Sequence, residues 1–132
     1  MRYLLDTNTV SDIIRNPQSR VVEYIKVVGE KQICTSIIVA AELRYGAVKR
    51  GSPRLVTQLD AVIATLEVLP FELPADAAYG PIRSRLEHAG KPIGGNDLLI
   101  AAQTLTLGHT LVTDNECEFS RVDGLIIENW LR

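Results

Sequence analysis

Short apolar runs alternate along the chain with longer segments in which apolar residues recur every three or four positions. Short runs of this kind are typical of buried strands, and the spaced segments are typical of helices. The runs predict strands at 2–5, 32–35, 110–113 and 125–130, and a further strand or extended segment at 67–71 that Pro70 ends. The spaced segments predict helices at 7–15, 19–29, 36–49, 53–66, 74–90 and 96–108. The alternation favours an α/β fold with a central parallel sheet of about five short strands and helices on both faces.

Turn-forming residues separate these elements without creating a long linker. Pro17 ends the first helix, Gly80-Pro81 interrupts the helix at 74–90, and residues 91–96 form a loop. Residues 114–119 form a turn or a single helical turn. Because no linker is long enough to divide the chain, we expect residues 1–132 to form one domain.

Composition narrows the class of protein. The chain has 132 residues, 46% of them hydrophobic, and no apolar run approaches the length of a membrane span. Asp6 interrupts the first apolar run, which argues against a signal peptide, so we expect a soluble, cytoplasmic protein with no membrane partner. Cys34 and Cys117 lack metal-ligand spacing and are expected to be free thiols. His88 and His109 stand apart from them, which argues against zinc and leaves no obvious histidine base.

Four acidic residues fall where a parallel sheet would bind a ligand. Asp6 and Asp114 directly follow predicted strands, and Asp97 opens an otherwise apolar helix. Glu42 lies on the apolar face of the helix at 36–49, where an unpaired carboxylate would be costly. Ligands of open α/β sheets bind beyond the carboxyl ends of the strands. We therefore expect Asp6, Glu42, Asp97 and Asp114 to converge on one edge of the sheet.

Each acid also has a purely local explanation. Asp6 could cap the helix that follows it, and Asp97 could cap its own helix or interact with the helix dipole. Asp114 could form an Asx turn. Glu42 could form an ion pair with an arginine such as Arg83 or Arg85. A shared site is favoured because the fold itself would gather all four acids.

Four ionised carboxylates in one place would repel one another strongly. At a separation of about 5 Å and an effective dielectric constant of about 20, each of six pairs costs about 3 kcal/mol, and the sum rivals the ~5–15 kcal/mol stability of a domain. Protons or a divalent cation must offset this charge. Oxygen ligands without histidine or cysteine suit Mg²⁺ or Mn²⁺. Such a site favours hydrolysis of a phosphodiester bond by a metal-activated water.

Four segments follow one another in a recognisable order: MRYLLDTN, AAELRYGA, KPIGGNDLLIAAQTLTLG and TLVTDNECEFSRVDGLIIENW. Together they resemble the motifs of the PIN-domain ribonucleases, and among these the VapC toxins of type II toxin–antitoxin pairs. The resemblance covers residues 2–130. It implies a PIN-like fold and assigns metal binding and catalysis to Asp6, Glu42, Asp97 and Asp114.

The same resemblance implies an activity and partners. It implies a Mg²⁺- or Mn²⁺-dependent endoribonuclease that cleaves structured RNA, commonly transfer RNA in its anticodon stem-loop, and so inhibits translation. It implies a VapB-like antitoxin that carries a DNA-binding domain. A homodimer is expected, as is a larger toxin–antitoxin assembly on operator DNA that is bound through the antitoxin.

Polar neighbours of the acids are candidates for supporting roles. Thr7 and Asn8 could orient Asp6 or a water molecule, or could only cap the helix. Thr113 and Asn115 flank Asp114 and could hold water at a metal. Glu118 is a further acid that could join the site or form a structural pair instead.

The charge balance argues only mildly against a nucleic-acid ligand. The net charge is −2, from 14 basic and 16 acidic residues, and the four site acids alone account for the excess. Six basic residues are candidates for RNA binding: Arg44, Lys49, Arg50, Arg83, Arg85 and Lys91. Each of them could instead be an ordinary solvated side chain on the surface. Two other functions stay open: a PIN protein that binds an antitoxin or nucleic acid without turnover, and a metal-dependent DNase on the same fold.

Overall fold

The computed structural model describes residues 2–132 and confirms the α/β fold. Five strands form one sheet in the order β3-β2-β1-β4-β5, and every neighbouring pair is parallel. The strands are β1 (Tyr3–Leu5), β2 (Ile33–Ser36), β3 (Val68–Leu69), β4 (Thr110–Val112) and β5 (Ile126–Glu128). The first strand therefore lies at the centre of the sheet, between strands from the second quarter and the last quarter of the chain.

Helices connect the strands and begin close to the predicted positions. They are α1 (Thr7–Arg15), α2 (Arg20–Val28), α3 (Ile37–Arg50), α4 (Pro53–Thr65), α5 (Ala75–His88), α6 (Gly95–Leu107) and the single turn α7 (Glu116–Phe119). Serine side chains cap three of them, since Ser19, Ser36 and Ser52 each accept a hydrogen bond from a backbone N–H of the first turn. None of the helices in the described part of the chain is long and apolar enough to cross a membrane.

Two of these elements differ in extent from the sequence prediction. The strand predicted at 67–71 is reduced to Val68–Leu69, because it pairs only with the end of β2 and is followed by Pro70, which has no N–H to donate. The predicted interruption at Gly80-Pro81 does not occur, and α5 runs unbroken through Pro81. Pro81 faces solvent, and the helix is held by its packing against α6, which includes the buried Leu86.

The core lies on both faces of the two central strands. Leu4 and Leu5 of β1 and Leu111 and Val112 of β4 are fully buried, as expected for parallel strands covered by helices on both sides. Near the C-terminus Trp130 is 1% exposed. This core holds the carboxyl ends of β1, β2 and β4 at one edge, where the acidic residues follow.

The two cysteines differ in environment, and this difference gives a chemical test of the fold. Both are free thiols, but Cys34 is buried and Cys117 is exposed. Burial raises the pKa of the Cys34 thiol to about 11, so little reactive thiolate forms at pH 8. We expect an alkylating reagent to label one thiol per native chain and two in guanidinium chloride, counted by mass spectrometry. Rapid native labelling that persists in Cys117→Ser would contradict the burial of Cys34.

Candidate active site

A cleft of about 470 Å³ opens at the carboxyl edge of the sheet, bounded by α1, α3, α4 and the start of α6. Three of the four predicted acids line it: Asp6, Glu42 and Asp97. Asp6 directly follows β1, Glu42 lies in the helix that follows β2, and Asp97 lies in the first turn of α6. The parallel sheet therefore gathers side chains that are far apart in the sequence, as its topology predicted.

Asp6 is the most buried of these acids, with 3% of its surface exposed. Its Oδ2 accepts a hydrogen bond from the Thr113 hydroxyl at 2.7 Å. Its Oδ1 is buried and has no hydrogen-bond partner in the described residues. Burial raises the pKa of Asp6, although the Thr113 hydrogen bond opposes the shift. Asp6 occupies the N-cap position of α1 but makes no side-chain capping bond, so capping does not explain it.

Glu42 bonds to Thr7 and not to Arg83 or Arg85, the two arginines that the sequence suggested as partners. It is half-buried, and its Oε1 accepts a hydrogen bond from the Thr7 hydroxyl at 2.9 Å. The alternative ion pairs with arginine are wrong. Arg83 pairs instead with Glu87 of its own helix, and Arg85 pairs with Asp123, which follows α7.

The surroundings of Asp97 strongly favour its protonated form. Its pKa rises from 3.8 to about 7, first because it is buried and then because of the nearby carboxylates of Asp6, Glu42 and Glu118. The Asn115 amide donates to Asp97 Oδ2 at 3.5 Å and to Glu118 Oε2 at 3.3 Å. A carboxyl group with this pKa exchanges its proton near neutral pH, which is a property common at catalytic sites.

Asp114 lies beside the cleft rather than on its wall. Its backbone N–H donates to Asn8 Oδ1 at 2.9 Å, which ties it to the polar end of the cleft. Its carboxylate is held by the C-terminal segment: Asn129 donates to Oδ1 at 3.0 Å, and Arg132 Nε lies 3.4 Å from the same oxygen. The predicted set of four acids is thus three acids on the cleft wall and a fourth at its margin.

The supporting residues predicted from the sequence form the hydrogen-bond framework of the cleft. Thr7 holds Glu42 and Thr113 holds Asp6. The Asn115 N–H in turn donates to the Thr113 hydroxyl at 2.9 Å. These contacts fix the direction in which each carboxylate points, which is the usual role of residues behind metal-binding and catalytic side chains.

The six basic residues proposed for RNA binding divide into separate groups. Arg44, Arg83 and Arg85 are each paired with a carboxylate. Arg50 lines the cleft, whereas Lys49 and Lys91 are exposed and do not.

Sequence reasoning missed two polar residues that line the cleft, Ser11 and Arg15. Their spacing was the available signal, because positions 7, 11 and 15 share one face of α1. Sequence reasoning also missed Asn129 and Arg132, whose position depends on how the C-terminal segment folds back.

The oxygen-rich end of the cleft suits a hard divalent cation. As the side chains stand, no three His, Cys, Asp or Glu residues in positions 2–132 are placed to hold an ion together. Mg²⁺, however, is commonly bound by only one or two carboxylates, with waters and substrate phosphates as its other ligands. The unpartnered Oδ1 of Asp6 and the neighbouring carboxyl group of Asp97 provide such a pair. Neither histidine lines the cleft, which disfavours zinc there.

Comparisons with known proteins agree with this geometry. The PIN domain profile matches residues 3–125. Ribonuclease VapC2 of Rickettsia felis is 39% identical over 98% of both chains, and the tRNA(fMet)-specific endonuclease VapC of Salmonella typhimurium is 35% identical over 98% of both. The crystal structure of VapBC2 from Rickettsia felis bound to a promoter DNA fragment contains a chain that superposes with a TM-score of 0.90, covering 98% of this chain and 99% of that one at 37% identity. The resemblance inferred from the motifs is confirmed, and the chain belongs to the VapC family of PIN-domain ribonucleases.

Proposed function

We propose that this protein is the toxin of a toxin–antitoxin pair and a Mg²⁺- or Mn²⁺-dependent endoribonuclease that hydrolyses structured RNA. The observation that carries the metal dependence is the buried Oδ1 of Asp6, a residue of the cleft wall, which has no hydrogen-bond partner in the described residues. Buried polar atoms are nearly always satisfied in folded proteins. A cation is the ligand that would satisfy this oxygen among carboxylates that otherwise repel one another.

The acidic residues and the threonines of the site would have separate roles. Asp6 and Asp97 would hold the ion, with Glu42 completing the negative charge around it and Asp114 acting from the margin. When bound, Mg²⁺ or Mn²⁺ would acidify water and offset the charge of a phosphate. Thr113 and Thr7 keep the carboxylates of Asp6 and Glu42 in fixed orientations. Without an ion the pKa of Asp97 is raised to about 7, and a bound cation would offset the carboxylate repulsion that contributes to this shift.

Transfer RNA is the substrate that we propose. The VapC of Salmonella typhimurium, 35% identical to this chain, is named as a tRNA(fMet)-specific endonuclease. Initiator transfer RNA is therefore the first molecule to test, with the anticodon stem-loop as the proposed region of cleavage. Loss of this transfer RNA would inhibit translation.

An antitoxin with a DNA-binding domain is the proposed partner. Structures similar to this chain include VapBC complexes from Rickettsia felis and Salmonella typhimurium that were crystallised with DNA. By analogy we propose a homodimeric toxin that reaches operator DNA through its antitoxin. Such a partner is testable by co-purification with the product of a neighbouring reading frame.

Divalent cations should stabilise the folded protein, since they bind the folded state in preference to the unfolded one. The pKa of Asp97 rises from 3.8 to about 7 on folding, so the stability that its proton confers is lost as pH rises through this window. At pH 8 without cation, Asp97→Asn should therefore raise the melting temperature, and it should also reduce the gain from Mg²⁺ or Mn²⁺. Differential scanning fluorimetry measures both effects, with Asp12→Asn as control. A wild-type melting temperature that ignores tens of millimolar of either ion would count against the metal site.

The chemistry of the RNA ends tests the proposed reaction. No imidazole lines the cleft to activate a 2′-hydroxyl, so water is the expected nucleophile. Attack by water leaves a 5′-phosphate and a 3′-hydroxyl, whereas attack by the 2′-hydroxyl leaves a 2′,3′-cyclic phosphate. We expect the first pair when initiator transfer RNA is cut with Mg²⁺ or Mn²⁺ and the ends are typed by mass spectrometry.

A matched single-stranded DNA of the same sequence is the control for this assay. Cyclic phosphate ends that depend on Asp6 would refute hydrolysis by water. Preferential cleavage of the DNA would assign the chain to the DNases, and binding without cleavage of either would leave only a binding function.

A further inference from the structure

Two arginines line the cleft at the end away from the acids. Arg15 is the last residue of α1 and Arg50 is the last residue of α3. Both are exposed, and neither forms an ion pair in the part of the chain that the structure describes. Arg15 Nε lies 3.4 Å from the Ser11 carbonyl of its own helix, which leaves its other donors available. Arg44, also on α3, is by contrast paired with Asp60 at 2.8 Å.

The two helices carry the cleft from its acidic end to these arginines. Residues that line it recur at every fourth position, namely Thr7, Ser11 and Arg15 on α1 and Glu42, Gly46 and Arg50 on α3. Eight residues of helix span about 12 Å. The bond between Thr7 and Glu42 joins the two helices at the acidic end. The cleft therefore has carboxylates at one end and guanidinium groups two helical turns away.

Gly46 keeps the path between the two ends open. It lies in the middle of α3, where glycine costs about 0.5–1 kcal/mol of stability relative to alanine. A Cβ at this position would meet no atom within 4 Å, and its backbone is not in the left-handed region, so neither packing nor conformation requires glycine. The missing side chain instead leaves room on the cleft wall between Glu42 and Arg50.

We propose that Arg15 and Arg50 bind phosphates of the RNA backbone a few nucleotides from the cleaved bond, with the strand passing over Gly46. This inference rests on the proposed ribonuclease function. Successive charges of one strand of duplex DNA lie about 3.4 Å apart along the helix axis, so a distance of about 12 Å corresponds to a few phosphates of a nucleic-acid strand. The acidic end accepts phosphate only together with a cation, whereas guanidinium groups bind phosphate directly through paired N–H donors.

The test compares arginines inside and outside the cleft. Arg15→Gln and Arg50→Gln are each expected to raise KM for the RNA about fivefold while kcat changes little, and to lower the salt dependence of log Kd by about 0.7–0.9 per residue. Arg54→Gln is the control, because Arg54 is an exposed arginine on α4 that does not line the cleft. It removes the same charge and should change neither quantity. Gly46→Met should raise KM without lowering the melting temperature.

RNA binding is measured separately, by fluorescence anisotropy in the Asp6→Asn protein, so that the inference does not depend on turnover. If the wild-type protein binds RNA but does not cut it, the ribonuclease function fails while the salt slopes still test the arginines. If Arg15→Gln and Arg50→Gln match Arg54→Gln in KM and salt slope, the inference is overturned. Arginines that only interact with the helix dipole would change stability alone. Arginines that serve a protein ligand would weaken antitoxin binding alone, and either result overturns the inference.

Discussion

Replacing Asp6 with asparagine is expected to reduce kcat/KM for RNA cleavage by at least about a hundredfold, as is typical when a group acting at the reacting atoms is lost. The Thr113 hydroxyl donates to one carboxylate oxygen, and the second oxygen is the unpartnered one. If the asparagine carbonyl accepts the Thr113 bond, its NH₂ group occupies the position of the unpartnered oxygen. A donor then replaces an acceptor where a cation would bind, although the shape of the side chain is kept.

The same substitution should not unfold the protein. Because burial raises the pKa of Asp6, its ionised form is disfavoured in the folded state, and a neutral amide removes that cost. We expect an unchanged or higher melting temperature in the absence of cation. Asp12→Asn on α1 is the matched control, since it removes the same charge outside the cleft and should retain activity. Full cleavage by folded Asp6→Asn protein would remove Asp6 from the active site.

Replacing Trp130 with alanine should have the largest effect on stability, a loss of about 3–5 kcal/mol in the free energy of unfolding. Trp130 is 1% exposed, stacks on Tyr24 with ring centroids 5.0 Å apart, and contacts Tyr3 at 5.2 Å. Its indole N–H donates to Glu128 at 2.9 Å. Because Trp130 is the only tryptophan, unfolding in urea is followed by circular dichroism rather than by fluorescence.

Trp130→Phe separates the ring contacts from the hydrogen bond. Phenylalanine keeps an aromatic face for Tyr24 but has no N–H for Glu128, so it should cost about half as much as alanine. An alanine variant with an unchanged urea midpoint would show that the C-terminal segment contributes little to the fold. A lowered urea midpoint together with a loss of cleavage is the expected result, because the same segment places Asn129 and Arg132 beside Asp114.

The sequence predicted the acids better than it predicted their partners. The positions of Asp6 and Asp97 follow from strand ends and helix starts, which hydrophobic periodicity locates well. The Thr7–Glu42 and Thr113–Asp6 bonds join residues that are 35 and 107 positions apart, and no local pattern signals contacts of that kind. The expected convergence of Asp114 also overlooked the last residues of the chain, because their approach depends on the tertiary packing of Trp130.

The continuity of α5 also depends on tertiary packing that the local sequence does not reveal. Gly80-Pro81 is a strong local signal for a break, yet α5 continues because its packing against α6 outweighs the loss of one backbone hydrogen bond.

The two arginines of the cleft are a case in which the sequence does contain a usable signal. Arg15 and Arg50 each lie eight residues beyond a residue at the acidic end, on the same helical face, but only the assembled fold shows that the two faces meet.

The central position of β1 has a consequence for biosynthesis. β1 is synthesised before every other strand of the sheet, but one of its two neighbours, β4, is the fourth of the five strands to be made. Until Thr110–Val112 pairs with Tyr3–Leu5, Asp6 lacks the threonine that orients it. A nascent chain therefore carries an incomplete nuclease site until most of the protein has been translated. The order of the strands thus delays any nuclease activity until synthesis of the chain is nearly finished.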